Sequence, residues 1–245
     1  MVEVIFADRI LIAAAIAPAI FLFCYVYKKD TLEKEPIGLL VKLALWGIIS
    51  TALASISETV GIAVLPYVSS AGSKLYNILL YFIVVALSEE GFKYLLLKWK
   101  TWRSTDFNCQ FDGVVYAVFV SLGFALWENI SYCVSYGFST AVARALTAVP
   151  GHACFGVFMG TFYGAAKRCS ISGDKKTAGS LLWASLLVPT FLHGMYDYLA
   201  STMEENDSYL FFIFVIVFFV AAYKLVKKLS ENDRYISTDN PDGSI

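Results

Sequence analysis

The sequence predicts an all-α membrane protein: a polytopic bundle of about seven transmembrane helices. Three observations carry this. Hydrophobic residues make up 58 % of the 245 residues, charged residues only 16 %, and mean hydropathy is +0.64, whereas a soluble domain has about 25 % charged and 45–50 % apolar residues. The apolar residues fall into seven runs, each long enough to cross a bilayer at about 1.5 Å of rise per residue. Basic residues alternate between successive connections. This composition argues against a soluble enzyme, a disordered chain and a nucleic-acid binder, and a net charge of −1 supplies no field for a polyanion. Five cysteines without Cys-x-x-Cys spacing imply neither a disulfide framework nor a thiolate zinc site.

The spans are expected at about 10–27, 38–60, 76–97, 113–134, 140–166, 180–200 and 209–225. The flank before the first run contains Glu3, Asp8 and Arg9, which is not the basic flank of a signal peptide. The second run keeps apolar character past Gly61 and Pro66 to Tyr67. Lys28, Lys29 and Lys34 follow the first run, and only Lys74 follows the second. Lys98, Lys100 and Arg103 follow the third, and 135–139 carries no basic residue. Lys167, Arg168, Lys175 and Lys176 follow the fifth, the connection Glu204–Asp207 is acidic, and Lys224, Lys227, Lys228 and Arg234 lie at the end. The positive-inside rule then puts the N-terminus outside and the C-terminus in the cytoplasm, which requires an odd number of spans. Residues 1–230 read as one transmembrane domain, and 231–245 as a polar cytoplasmic tail without fixed structure. No internal duplication of the transporter kind is evident.

Ionisable groups inside the spans are costly and therefore point to function. The third run holds Ser88-Glu89-Glu90-Gly91-Phe92-Lys93, with Glu89 and Lys93 on one helical face. An intrahelical ion pair accounts for one glutamate and leaves the second unexplained. The fourth holds Phe124 and then Glu128-Asn129, where interhelical hydrogen bonding is the plainer alternative. The fifth holds His152, Gly156, Gly160 and Gly164 at steps of four; the glycines read as a close-packing face. Pro150 removes a backbone donor just before His152. The sixth holds Pro189, His193 and Asp197, the acid spaced to set the tautomer of the imidazole. Both histidines of the chain thus lie within spans. At 1.5 Å per residue, Glu89 lies about 20 Å and His152 about 18 Å from the outer ends of their spans, and His193 about 20 Å and Glu128 about 22 Å from the inner ends of theirs. These depths overlap, so four helices can share one cavity. Glu58 and Arg144, near outer ends, read as a structural pair.

The cluster would carry a charge of −3 with every acid ionised and both histidines neutral, so it must share protons or bind a cation. A carboxylate beside a hydrated cavity is a general base for water, and imidazole and amide donors stabilise an oxyanion. No serine or cysteine nucleophile is paired with a base, and His-Glu-x-x-His is absent.

The series Glu89-Glu90-x-x-Lys93, Phe124-x-x-x-Glu128-Asn129, His152-x-x-x-Gly156 and His193-x-x-x-Asp197 resembles the PrsW family of intramembrane proteases. That family is related to CAAX prenyl endopeptidases and to bacteriocin-processing membrane proteases of the glutamic type. Each motif alone is weak; four in order, each in its own apolar run, are specific. Lys93, rather than an arginine one position later, favours PrsW over the prenyl-protein branch. The resemblance implies a protease of the bacterial cytoplasmic membrane that makes the first cut in a single-pass anti-sigma factor. A second intramembrane protease then completes release of the sigma factor in a stress response. It further implies that Glu89 activates water with Glu90 as its partner, that His152 helps bind or activate water, and that His193 with Asn129 polarises the carbonyl, beside Glu128. No cofactor is expected. The alternatives are a zinc-dependent hydrolase using Glu89, Glu90, Glu128, His152 and His193 as ligands, a CAAX-type endopeptidase, a proton-coupled transporter, and a receptor with a purely structural polar core.

Overall fold

A computed structural model describes residues 2–201 and 208–236. The helices are α1 (Val2–Lys29), α2 (Ile37–Val68), α3 (Lys74–Ile78), a π-helical stretch π1 (Leu79–Ala86), α4 (Leu87–Thr101), α5 (Asp112–Tyr136), α6 (Phe138–Leu146), α7 (Ala148–Ile171), α8 (Lys175–Ser201) and α9 (Ser208–Glu231). Among the described residues no strand forms, and β pairing is confined to one isolated bridge between Cys109 and Tyr235. Six stretches are long and apolar enough to cross a membrane: α2, Lys74–Thr101, α5, Phe138–Ile171, α8 and α9. The 28-residue α1 has the length of a seventh. The fold is therefore the all-α membrane bundle that the apolar runs imply.

Two spans differ locally from a plain helix. The run expected at 140–166 breaks at Thr147, whose φ of −123° and ψ of −66° lie outside the helical region. Pro150 falls in the first turn of α7, where its missing N–H costs no intrahelical bond. The third span runs through π1 immediately before Glu89 and Glu90; π turns are rare and often lie beside functional sites. Pro189, by contrast, sits within an unbroken α8.

The end of the chain also departs from expectation. Residues 232–236 do not trail loose but bind the α4–α5 connection. The Phe111 N–H donates to Asp233 Oδ1 at 2.8 Å, the Gln110 N–H to the Arg234 carbonyl at 3.1 Å, and the Ile236 N–H to the Asn108 carbonyl at 2.6 Å. The rest of the expected tail, 237–245, and the acidic connection Glu204–Asp207 lie outside the described residues.

Helix α5 is the central element, buried without a break from Asp112 to Ala125. Glycine contacts let its neighbours approach. A Cβ on Gly47 of α2 would meet the Val120 carbonyl, and one on Gly123 the Ala44 carbonyl. On α7, a Cβ on Gly156, Gly160 or Gly164 would run into the α5 side at Val118, at Gly113 and Val114, and at the Gln110 carbonyl respectively. These are backbone-to-backbone contacts of the small-residue kind that drives helix association in lipid.

Candidate active site

Four helices each present one face to a common polar centre. On α4, Glu89, Glu90 and Lys93 share a face; Phe124 and Glu128 do so on α5, His152 and Phe155 on α7, and His193 and Asp197 on α8. A cavity of about 610 Å³ opens beside them. Glu89, Phe124, Glu128, His152, His193 and Asp197 line it, with Glu58 from α2, Tyr81 from π1, Arg144 from α6 and Tyr196 from α8.

Lys93 is the hub. It is fully buried, and its Nζ lies 2.7 Å from Glu90 Oε1, 3.2 Å from Glu89 Oε2 and 3.1 Å from His152 Nδ1. The ring centroid of Phe124 lies 3.8 Å away, a cation–π contact. An ammonium only donates, so Nδ1 of His152 is the acceptor and the ring proton is assigned to Nε2. That nitrogen donates to Glu128 Oε2 at 2.8 Å. Arg144 Nη2 also lies 2.8 Å from Glu128 Oε2.

His193 is held differently from what its i+4 spacing to Asp197 implies. Its Nδ1 lies 3.0 Å from Glu90 Oε1, while Asp197 Oδ2 sits on the other side of the ring, 3.4 Å from Nε2. Glu90, 103 residues distant in the chain, therefore orients the imidazole. Phe155 stacks on the ring with centroids 4.6 Å apart and planes inclined by 16°. Nε2 is 3.9 Å from Glu89 Oε2, too far for a direct hydrogen bond and near enough for one water to touch both.

The expected site residues thus divide. Glu89, Glu128, His152, His193 and Asp197 reach the cavity; Glu90 and Lys93 stand behind it, binding those that do. Asn129 does not line the cavity: its amide donates to the Ala15 carbonyl at 2.8 Å and its Oδ1 accepts from Arg144 Nε at 3.3 Å. The expected pairing of Glu58 with Arg144 is replaced by Arg144 with Glu128, and Glu58 stays on the α2 wall of the cavity. Arg144 and Phe155 are the participants that sequence reasoning missed. In the sequence Arg144 reads only as a structural partner for Glu58, and Phe155 reads as any other apolar residue.

Among the described residues, Glu89, Glu90 and His152 bring three potential metal-ligand atoms within 4.8 Å of one another. Those same groups surround the Lys93 ammonium.

The comparisons agree in one direction. Residues 35–223 match the family described as PrsW family intramembrane metalloprotease. Protease PrsW of Geobacillus kaustophilus is 36 % identical over 218 residues, covering 89 % of this chain and 91 % of that protein. Protease PrsW of Halalkalibacterium halodurans is 33 % identical over 225 residues (91 % and 99 %), and that of Bacillus subtilis 32 % over 222 residues (91 % and 97 %). No solved structure matches. With its membrane-spanning helices and the polar cavity between them, the chain belongs to the PrsW family of intramembrane proteases and is a multi-pass membrane protease.

Proposed function

We propose that this protease makes the first cut in a single-pass membrane anti-sigma factor, using water activated by Glu89 without a metal. The observation that carries the reading is the position of Glu89: a carboxylate facing the cavity, tied to Lys93 at 3.2 Å, with His193 Nε2 3.9 Å away. Water between these groups gives a proton to Glu89, and its oxygen adds to the scissile carbonyl carbon. The carbonyl π pair moves onto oxygen, forming an oxyanion. When that intermediate collapses, the C–N bond breaks and Glu89 returns the proton to the departing amine. Carboxylates sit at both nitrogens of His193, an arrangement that suits a doubly protonated ring donating toward both. With Nδ1–H held by Glu90, the Nε2–H turns from the longer Asp197 contact to the substrate oxygen and, with the cavity-lining Arg144, polarises the carbonyl, the part that Asn129 is not positioned to play.

The family description names a metal, so the fit of the donors matters. A zinc ion needs about 2.0–2.2 Å to oxygen and nitrogen ligands and a free centre between them. Here the centre between Glu89, Glu90 and His152 holds the Lys93 ammonium, hydrogen-bonded to all three. The donors as arranged do not fit a metal, and no step runs through one.

The cavity lining continues from Glu89 to Arg144, Ala200 and Ser201, at the end of the bundle whose connections hold few basic residues. By the positive-inside rule that end faces outward, with the N-terminus outside and the C-terminus in the cytoplasm, which suits a substrate with an extracytoplasmic domain. The test is co-expression of the chain, or of Glu89→Gln, with single-pass candidates carrying an extracytoplasmic tag. Truncated fragments are expected with the unaltered chain alone; fragments that persist with Glu89→Gln overturn the mechanism.

A further inference from the structure

We propose that Lys93 is the resident cation of this site, a positioning residue whose ammonium fills the place a metal ion would occupy between Glu89, Glu90 and His152. The inference rests on the glutamate–water reading above and goes beyond it by naming what replaces the metal.

Four observations converge on it. Among the described residues, only these three groups combine as a possible metal site, and each is within hydrogen-bond distance of one atom, Lys93 Nζ. An ammonium has three N–H groups, and three acceptors surround this one, so its capacity is met. The ring of Phe124 lies 3.8 Å from Nζ, supplying the π face a desolvated cation favours. Lys93 and Glu90 are wholly buried and Glu89 and His152 nearly so, so the ammonium is desolvated and held by these groups alone.

Charge explains why an ammonium serves a glutamate-based site better than a divalent ion. A dication bound to Glu89 and Glu90 would neutralise both, and a carboxylate in a metal's coordination sphere is a ligand rather than a base. With the protonated His193 on Glu90, the monocation shared between the two carboxylates leaves Glu89 its own negative charge and no metal bond. Glu90 is also bound to His193 and does not reach the cavity, whereas Glu89 lines it. The remaining charge is therefore available on the carboxylate that water can approach. The ammonium does a second task that a metal would do differently. By donating to Nδ1 of His152 it commits the ring proton to Nε2 and so to Glu128, linking α4 to α7 and α5 through one side chain.

A merely structural ion pair predicts that Lys93→Ala is unstable and nothing more. A resident cation predicts that the space left between three donors accepts a substitute. The experiment uses the full chain in nanodiscs. The unaltered protein should carry substoichiometric zinc by mass spectrometry and cleave equally with and without chelator. Lys93→Ala should lose about 10- to 100-fold in cleavage rate, by analogy with the loss of an outer-shell partner that orients a metal ligand. Added ethylammonium should restore part of it. Tetramethylammonium, charged but lacking N–H, should not. Lys93→Ala should also take up zinc that the unaltered chain does not. Stoichiometric zinc in the unaltered protein, with activity lost to chelator and restored by zinc, overturns the proposal. So does full activity of Lys93→Met, which keeps the stem and removes the charge. If Lys93→Ala does not accumulate, the zinc content of the unaltered protein and the activity of Lys93→Met still decide. Amine rescue in Lys93→Ala together with an active Glu89→Gln would keep the resident cation and refute the glutamate base.

Discussion

Replacing Glu89 by Gln separates chemistry from architecture more cleanly than any other single change at this site. The amide keeps the length of the side chain and can still accept a hydrogen bond from Lys93, which retains Glu90 at 2.7 Å and His152 at 3.1 Å. Glu89→Ala is a poorer probe, because an ammonium that is fully buried would lose an acceptor, at a cost above the roughly 1–3 kcal/mol of a neutral unsatisfied group. Removing a general base costs about 10²- to 10⁴-fold in rate, or about 2.7–5.5 kcal/mol at 1.36 kcal/mol per decade. The assay is the initial rate of cleavage of a single-pass reporter by purified protein in nanodiscs, with thermal unfolding recorded on the same preparations. The expected result is a loss in that range with an unchanged unfolding midpoint. Retention of more than about a tenth of the rate lies outside the smallest base effect and refutes the assignment. A full loss in Glu128→Gln beside an active Glu89→Gln transfers the role to Glu128.

Three further outcomes follow from the geometry. Glu90→Gln should lower kcat by about 10- to 100-fold although Glu90 does not line the cavity, because it orients both Lys93 and His193; Asp197→Asn, whose carboxylate is 3.4 Å from His193 and 24 % exposed, should cost less, and the reverse order in measured kcat would assign the orienting role to Asp197. Gly160→Ala should lower the unfolding midpoint while leaving kcat per active molecule intact, since its Cβ meets backbone at Gly113 and Val114 and overpacking costs about 1–3 kcal/mol; an unchanged midpoint contradicts that packing. Glu35, before α2, is pushed up to about 7 by burial, with Asp30 adding to the rise and the hydrogen bond from Tyr116 opposing it. A carboxyl raised on folding favours the folded state below its unfolded value and loses that contribution as pH climbs through about 7. The unaltered chain should therefore lose stability between about pH 4.5 and 7, and Glu35→Gln should flatten that slope in melts taken across the range.

What the sequence made legible was what depends on length and on exceptions to apolarity. A run of about 20 apolar residues has one use in a bilayer, and Glu89, Glu90, Lys93, Glu128, His152, His193 and Asp197 stood out because charge in such a run is costly. Their assembly into one site followed from approximate depth. Partner identity did not. Glu90 and His193 are 103 residues apart and Lys93 and His152 are 59 apart, so no periodicity links them. Asn129 follows Glu128 directly, and one residue turns a helical side chain away by about 100°, enough to send it toward Ala15 and Arg144 instead of the cavity. The break at Thr147 had a signal in Pro150, whereas π1 had none, because Leu79–Ala86 is uniformly apolar.

The polar centre survives in a membrane bundle because its charges are matched and its frame is tight. Glu89 and Glu90 face Lys93, Glu128 faces Arg144, and Asp197 faces His193, each within 4 Å. Removing one partner of a buried pair leaves an uncompensated charge, which costs far more than the pair contributes when whole. The pairs are therefore better read as constraints on geometry than as sources of stability. The frame comes from the antiparallel register of α5 and α7. Gly164 lies against Gln110, Gly160 against Gly113 and Gly156 against Val118. One further turn along α7 brings His152 to Phe124, with ring centroids 5.4 Å apart, and its Nε2 to Glu128 at 2.8 Å. A side chain at Gly156, the stripe position one turn from His152, would push the helices apart beside the site and lengthen that hydrogen bond, freeing the His152 proton that Lys93 directs to Glu128. The stripe that packs the bundle is thus also the ruler that sets the reacting groups.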